Sequence, residues 1–205
     1  MENLIKELIG QGYLNNPTII DAFYKIRRRD FLPPDLKEEE EINAPLPIGH
    51  GQTISQPLTV AFMLELLQPQ EGDKVLDVGL GSGWQTALLA EIVGKEGQVF
   101  AIERIDALKK FGEENVKKYE FSNIKFFLGD GSKGLPQFAP FDKIVVAAAA
   151  ENIPQPLVDH LKIGGRLVIP VGKTTQDMIL LKRISKKEVE QARYPGFQFV
   201  PLISD

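Results

Sequence analysis

The sequence predicts an α/β fold built on a doubly wound, mostly parallel sheet with antiparallel strands at its C-terminal end and a helical N-terminal extension. Three observations carry this. Short apolar runs alternate with amphipathic stretches from Lys74 onward, a glycine turn joins the first run to a helix, and the apolar runs after residue 165 stand too close for helices between them. Parallel strands need crossover connections, and strands buried on both faces read as continuous apolar runs, so the rhythm implies helices on both sides of the sheet.

Taken in order, residues 3–9 and 17–27 read as helices, followed by a loop rich in proline and charge. Residues 1–56 are too poor in apolar side chains to fold alone, so they form an accessory segment expected to pack on the sheet domain, 57–205, and to roof its site. The run Arg27-Arg28-Arg29 is explained by cations favoured at a helix C-terminus, and residues 38–41 by a solvated acidic face. A helix over 59–67 places Phe62, Met63, Leu66 and Leu67 at core spacing. Then come a strand at 75–78, a helix at 85–93, a strand at 99–102, a helix at 107–119, strands at 124–128 and 143–146, and a helix at 156–161. Strands at 165–171, 178–181 and 197–200 complete the sheet, the last of them pairing antiparallel.

With 205 residues, 43% hydrophobic and 25% charged, the chain has the composition of one soluble globular domain with an extension, which excludes long disorder and coiled coil. A net charge of -4 supplies no global basic field, so neither nucleic acid nor an anionic membrane is an expected partner. The absence of cysteine removes disulfides, thiol nucleophiles and cysteine-ligated zinc, and fits a reducing compartment. The N-terminus lacks a basic region followed by a long apolar one, and the longest apolar run, 144–150, falls far short of the roughly 20 residues of a membrane span. A cytoplasmic monomer is expected.

The strongest chemical signal is Val75-Leu76-Asp77-Val78-Gly79-Leu80-Gly81-Ser82-Gly83-Trp84, an apolar strand, a turn with three glycines and a helix start. Glycines let a ligand lie against bare backbone at the carboxyl end of a strand, where open α/β sheets bind ligands. The order is G-x-G-x-G, with Trp84 where a dinucleotide fingerprint has its third glycine, and Gly172-Lys173-Thr174 lacks the upstream glycine of a phosphate-binding loop. The second strand ends in Glu103, an acid able to accept from both ribose hydroxyls. The third ends Gly129-Asp130-Gly131, where Asp130 can accept from an adenine amino group and Gly131 leaves room for the ring. Three such strand ends in succession point to an adenosyl ligand without a phosphate chain, hence S-adenosylmethionine. His50 and His160 have no metal-ligand partner at the usual spacings, so no metal is expected.

Together these features resemble the class I S-adenosylmethionine-dependent methyltransferases. The segment Pro45-Leu46-Pro47-Ile48-Gly49-His50-Gly51-Gln52-Thr53-Ile54-Ser55-Gln56-Pro57 narrows the resemblance to the protein-L-isoaspartate O-methyltransferases, as do Pro140-Phe141-Asp142-Lys143, Ile153-Pro154, Gly164-Gly165-Arg166-Leu167 and Gln176 in their order. The resemblance implies transfer of the sulfonium methyl to the free α-carboxylate of L-isoaspartyl residues in damaged proteins and peptides. It also implies that Ser55 is the active-site serine and that Gln52, Thr53 and Ile54 line the cofactor and substrate, beside Gly79, Gly81, Ser82, Gly83, Glu103, Arg104, Asp130 and Gly131 for the cofactor. An α-carboxyl group is ionised at neutral pH, so such a reaction needs no general base, in keeping with two histidines and no evident triad. Two other readings remain open at this point: another class I methyltransferase with a small-molecule or nucleic-acid acceptor, and a non-catalytic S-adenosylmethionine-binding protein.

Overall fold

A computed structural model describes residues 1–204; Asp205, the end of the expected sheet domain, lies outside them. The central sheet has seven strands in the order β5-β4-β3-β6-β7-β8-β9. Its strands are β3 (Lys74–Val78), β4 (Gln98–Glu103), β5 (Ile124–Leu128), β6 (Phe141–Val146), β7 (Leu161–Val171), β8 (Gln176–Arg183) and β9 (Val189–Phe197). Neighbours from β5 to β7 run parallel, and β8 and β9 close the sheet antiparallel. From β3 the chain builds outward to β4 and β5 on one side, then returns to place β6 on the other, so β3 and β6 flank the point where strand order reverses.

The central strands behave as their apolar runs require. Val75, Leu76 and Val78 of β3 and Ile144, Val145 and Val146 of β6 are fully or almost fully buried. One layer holds α3 (Pro57–Leu67), α4 (Trp84–Val93) and α5 (Asp106–Val116), with the N-terminal helices α1 (Glu2–Gly10) and α2 (Pro17–Lys25) packed into the same apolar cluster. The opposite face buries Leu76, Phe100, Phe141, Ile144, Leu157 and Leu167 under the short helix α6 (Gln155–Asp159).

The N-terminal segment is tied to the sheet layer side chain by side chain. Phe23 meets the edge of Trp84 at 5.5 Å, Trp84 Nε1 donates to the Ile26 carbonyl at 3.3 Å, and Phe31 stacks on Tyr119 at 5.6 Å. Ile5, Leu8, Ile19, Phe23 and Phe31 have no exposed surface. At about 1.5–3 kcal/mol for each such side chain, exposing them by detaching the segment would cost a free energy of the order of a whole domain's net stability.

Several elements differ from the sequence expectation. The helix expected over 17–27 ends at Lys25, where Ile26 turns to extended backbone, and Arg28 then enters the core with no exposed surface. Residue 40 of the expected acidic face is buried as well, its carboxylate paired with Arg27. The loop before α3 contains a hairpin, β1 (Leu46–Gly49) with β2 (Gln52–Ile54), turned by Gly49, His50 and Gly51, all with positive φ. The last strand spans Val189–Phe197 and not 197–200, in register with β8 from Gln176 opposite Phe197 to Arg183 opposite Val189. This edge strand exposes Glu190, Gln191, Arg193 and Pro195, residues that protect an edge and hide it from an apolar pattern.

Candidate active site

One cleft opens at the carboxyl ends of β3, β4 and β6, beside the strand-order reversal, as expected for ligand sites in open α/β sheets. Its empty space, open mouth included, is about 1020 Å³, ample for a ligand of nucleoside size. The glycine turn forms the floor. Gly79 and Leu80 N–H groups both donate to the Ile102 carbonyl, at 2.9 and 3.3 Å, which fixes the turn to the end of β4.

Glu103, 7% exposed, ends β4 at this cleft. Its Oε2 accepts from the Gly81 N–H at 3.0 Å, and Oε1 accepts from the N–H groups of Arg104 and Ile105 at 2.9 and 3.0 Å. Three backbone donors hold the carboxylate in place, and a carboxylate offers about four acceptor positions, so Oε2 retains capacity toward the cleft.

Beneath the floor, Asp77 is completely buried in β3 and accepts from Thr86 Oγ1 at 2.5 Å and Gln85 Nε2 at 2.9 Å. Burial pushes its carboxyl up to about 6; the two hydrogen bonds oppose this and the charge of Glu103 adds to it. A folded-state value above the unfolded one means the folded chain binds the extra proton, so this contribution to stability is present below about pH 4 and is lost as pH rises through about 6. Replacing Asp77 with Asn removes that loss. The stability of the Asn variant relative to the parent is therefore expected to rise by up to about 3 kcal/mol between pH 4 and 7. Urea unfolding of both proteins across that range checks it, and a difference independent of pH would contradict it.

The structure brings Gln52, Thr53, Ile54, Ser55, Gly79, Gly81, Ser82, Glu103, Arg104 and Gly131 together around the cleft. Gly83 and Asp130 stand outside the lining. At Gly83, φ is +89°, and a Cβ would lie 2.7 Å from the Gly112 carbonyl oxygen; at Gly112, one would lie 2.7 Å from Leu80 Cγ. This glycine pair lets α5 close on the turn, so the third glycine has a packing reason of its own. The Asp130 side chain is buried, its Oδ1 accepting from Ser132 N at 2.9 Å and Ser132 Oγ at 2.7 Å, with Lys133 Nζ 3.3 Å from Oδ2. It thereby caps the 3₁₀ turn that begins with Gly131.

The remaining walls lie outside the site residues named from the sequence. Val60, Leu80, Ile102, Ile105 and Leu108 make them apolar, while Ala147 and Ala148 follow β6. Residues 200–203 close one side. The 149 and 202 backbones are joined by Leu202 N–H to Ala149 O at 2.7 Å, and the Gln176 side chain both accepts from Phe199 N at 2.6 Å and donates to Phe199 O at 3.2 Å.

The donor set suits an adenosyl sulfonium ligand. Arg104 is the single cationic side chain in the lining, against the carboxylate of Glu103, so no cationic cluster awaits a phosphate chain. Fold and cleft define an S-adenosylmethionine-dependent methyltransferase of the Rossmann-like class. A family model described as Protein-L-isoaspartate(D-aspartate) O-methyltransferase matches residues 1–205, and the chain belongs to that family. A protein-L-isoaspartate O-methyltransferase of Methanopyrus kandleri is 43% identical, covering 100% of this chain and 91% of that protein. One from Aeropyrum pernix is 46% identical over 98% of this chain and 78% of its own length. Among solved structures, a protein-L-isoaspartate O-methyltransferase of Plasmodium falciparum in complex with S-adenosyl-L-homocysteine superposes with a TM-score of 0.89 at 26% identity, covering 99% of this chain and 98% of that one. Among the described residues no helix is long and apolar enough to cross a membrane, and no group of three or more His, Cys, Asp or Glu side chains could hold a metal ion.

Proposed function

We propose that the cleft methylates the free α-carboxylate of L-isoaspartyl residues in damaged proteins and peptides, with Ser55 orienting that carboxylate. The observation that carries this reading is the placement of Ser55 in the lining of the same cleft as the glycine turn and Glu103. Bound there, S-adenosylmethionine supplies a sulfonium-activated methyl whose transfer to a carboxylate oxygen leaves a neutral ester and a neutral thioether. Opposite charges disappear in that step, and apolar walls such as Leu80, Ile102 and Leu108 favour such a loss of charge by keeping water out. The acceptor is already ionised at neutral pH, and the lining contains no histidine, in keeping with a reaction that rests on alignment.

In this reading Glu103 accepts from the ribose, Gly79, Gly81 and Ser82 lie under the amino-acid end of the cofactor, and Gln52, Thr53 and Ile54 contact cofactor and substrate. Arg104 and Gly131 flank the adenine, whose amino group donates to Asp130, while Gly83 shapes the turn. Residues 1–56 serve as the accessory roof of the domain formed by 57–205. The net charge of -4 and the lack of cysteine support a cytoplasmic monomer that acts on proteins and not on nucleic acid.

The test is transfer of labelled methyl to two synthetic peptides that differ at one residue, L-isoaspartyl in one and aspartyl in the other. Base-labile label on the isoaspartyl peptide alone is expected. Label on neither, with cofactor binding intact, would overturn the acceptor assignment.

A further inference from the structure

Arg28 is the one arginine of its run of three that is wholly buried, and its environment is unusual for a buried cation. Its guanidinium forms no ion pair with a carboxylate among the described residues; Arg27 and Arg29 take Glu40 and Glu38 instead, and Glu39 acts on it only through space. Three backbone carbonyls receive it: Nη1 donates to Ile42 O at 2.7 Å, and Nη2 donates to Ala44 O at 2.7 Å and Ser55 O at 3.2 Å. One guanidinium face lies 5.7 Å from the centre of the Trp84 ring, at the start of α4, and Nε finds no partner. Burial pushes the group down to about 10, so it remains charged at neutral pH.

Such a group is costly to bury, and a buried cation without a counter-charge is rare unless something calls for its field or its fork. Here the fork ends on the backbone of Ser55, and Ser55 stands two residues before Pro57, where the positive end of α3 begins.

We propose that Arg28 is a positioning residue for methyl transfer: its fork holds Ser55 in place from behind, and its charge, paired with no carboxylate, favours an anionic acceptor in front of Ser55. The inference rests on the reading of the cleft given above. The two functions separate chemically. A lysine at this position would keep a charge but cannot span three carbonyls, whereas a methionine would keep an apolar stem beside Trp84 and lose the charge altogether.

The experiment compares the parent enzyme with Arg28→Lys and Arg28→Met. It measures kcat and KM on an isoaspartyl peptide, the inhibition constant of the same peptide with its α-carboxylate replaced by a neutral carboxamide, and the Kd of S-adenosylhomocysteine by calorimetry. For Arg28→Met, KM for the carboxylate peptide is expected to rise about tenfold or more, while the constants for the neutral peptide and S-adenosylhomocysteine stay within about twofold. For Arg28→Lys, kcat is expected to fall at least about fivefold with KM nearly unchanged. Equal weakening of both peptides, or a matching rise in the S-adenosylhomocysteine Kd, makes Arg28 a packing residue and overturns the proposal. Should Arg28→Met not fold, Arg28→Lys decides alone, a parental kcat overturning the proposal. Absence of transfer by the parent overturns the reading of the reaction, and this inference with it; parental transfer with insensitive variants overturns this inference alone.

Discussion

Ser55→Ala is expected to slow methyl transfer to an isoaspartyl peptide by about 10²-fold while leaving the Kd of S-adenosylhomocysteine within about twofold of the parent. Three hydroxyl side chains line the cleft: Thr53, Ser55 and Ser82. Ser82 is buried, with Oγ accepting from the Trp84 N–H at 3.4 Å, and Thr53 is exposed on the hairpin. Ser55 alone combines partial exposure with a backbone anchored from below. Its carbonyl is held by Arg28, and Asn43 ties down the residues that follow it, accepting from Gln56 Nε2 at 3.0 Å and Leu58 N at 3.1 Å. A hydroxyl on such a support aligns an oxygen nucleophile at little entropic cost, and deleting it leaves the cofactor side of the cleft intact. Single-turnover transfer with labelled donor, set beside calorimetric titration, checks both halves. Turnover within twofold of the parent would remove the role assigned to this serine.

Glu103→Ala is expected to act in the opposite way, raising the Kd of S-adenosylhomocysteine by about 10²-fold and leaving the peptide KM near the parental value once the donor is saturating. The one acceptor position left on the carboxylate can hold a single hydrogen bond to the ribose, and at up to about 3 kcal/mol for a bond to a charged acceptor it accounts for a factor of that size. The same change strips the N–H groups of Gly81, Arg104 and Ile105 of their acceptor, so the glycine turn loosens as well. A lower melting temperature is expected beside the weaker binding, and titration is made well below it. A Kd that stays within threefold would mean that the ribose does not lie against this carboxylate.

The fold was legible where burial is two-sided. Val75, Leu76 and Val78, or Ile144, Val145 and Val146, have no polar face to interrupt them, so β3 and β6 announce themselves as apolar runs. At the sheet edge the same rule fails, because β9 must remain polar to avoid pairing with other chains. The β1–β2 hairpin is too short to show a period, and one of its three left-handed residues is His50, which carries no turn signal comparable to glycine. The site divides along similar lines. Glu103 and the glycine turn could be found because strand ends in an α/β sheet converge by topology. Arg28 could not, since three consecutive arginines say nothing of which one turns inward after the helix stops at Lys25. The residues at 200–203 reach the cleft only through tertiary contacts from Gln176 and Ala149, which leave no local trace.

Cleft walls drawn from both halves of the chain have a thermodynamic consequence. Gln52 and Ser55 come from before the sheet, Glu103 from its middle, and residues 200–203 from beyond β9, so no partly folded intermediate owns a complete binding surface. Ligand affinity is then linked to global and not local folding. A ligand held at 100 times its Kd adds about 2.7 kcal/mol to the unfolding free energy of the entire molecule, and that gain protects α1 as much as the strands that touch it.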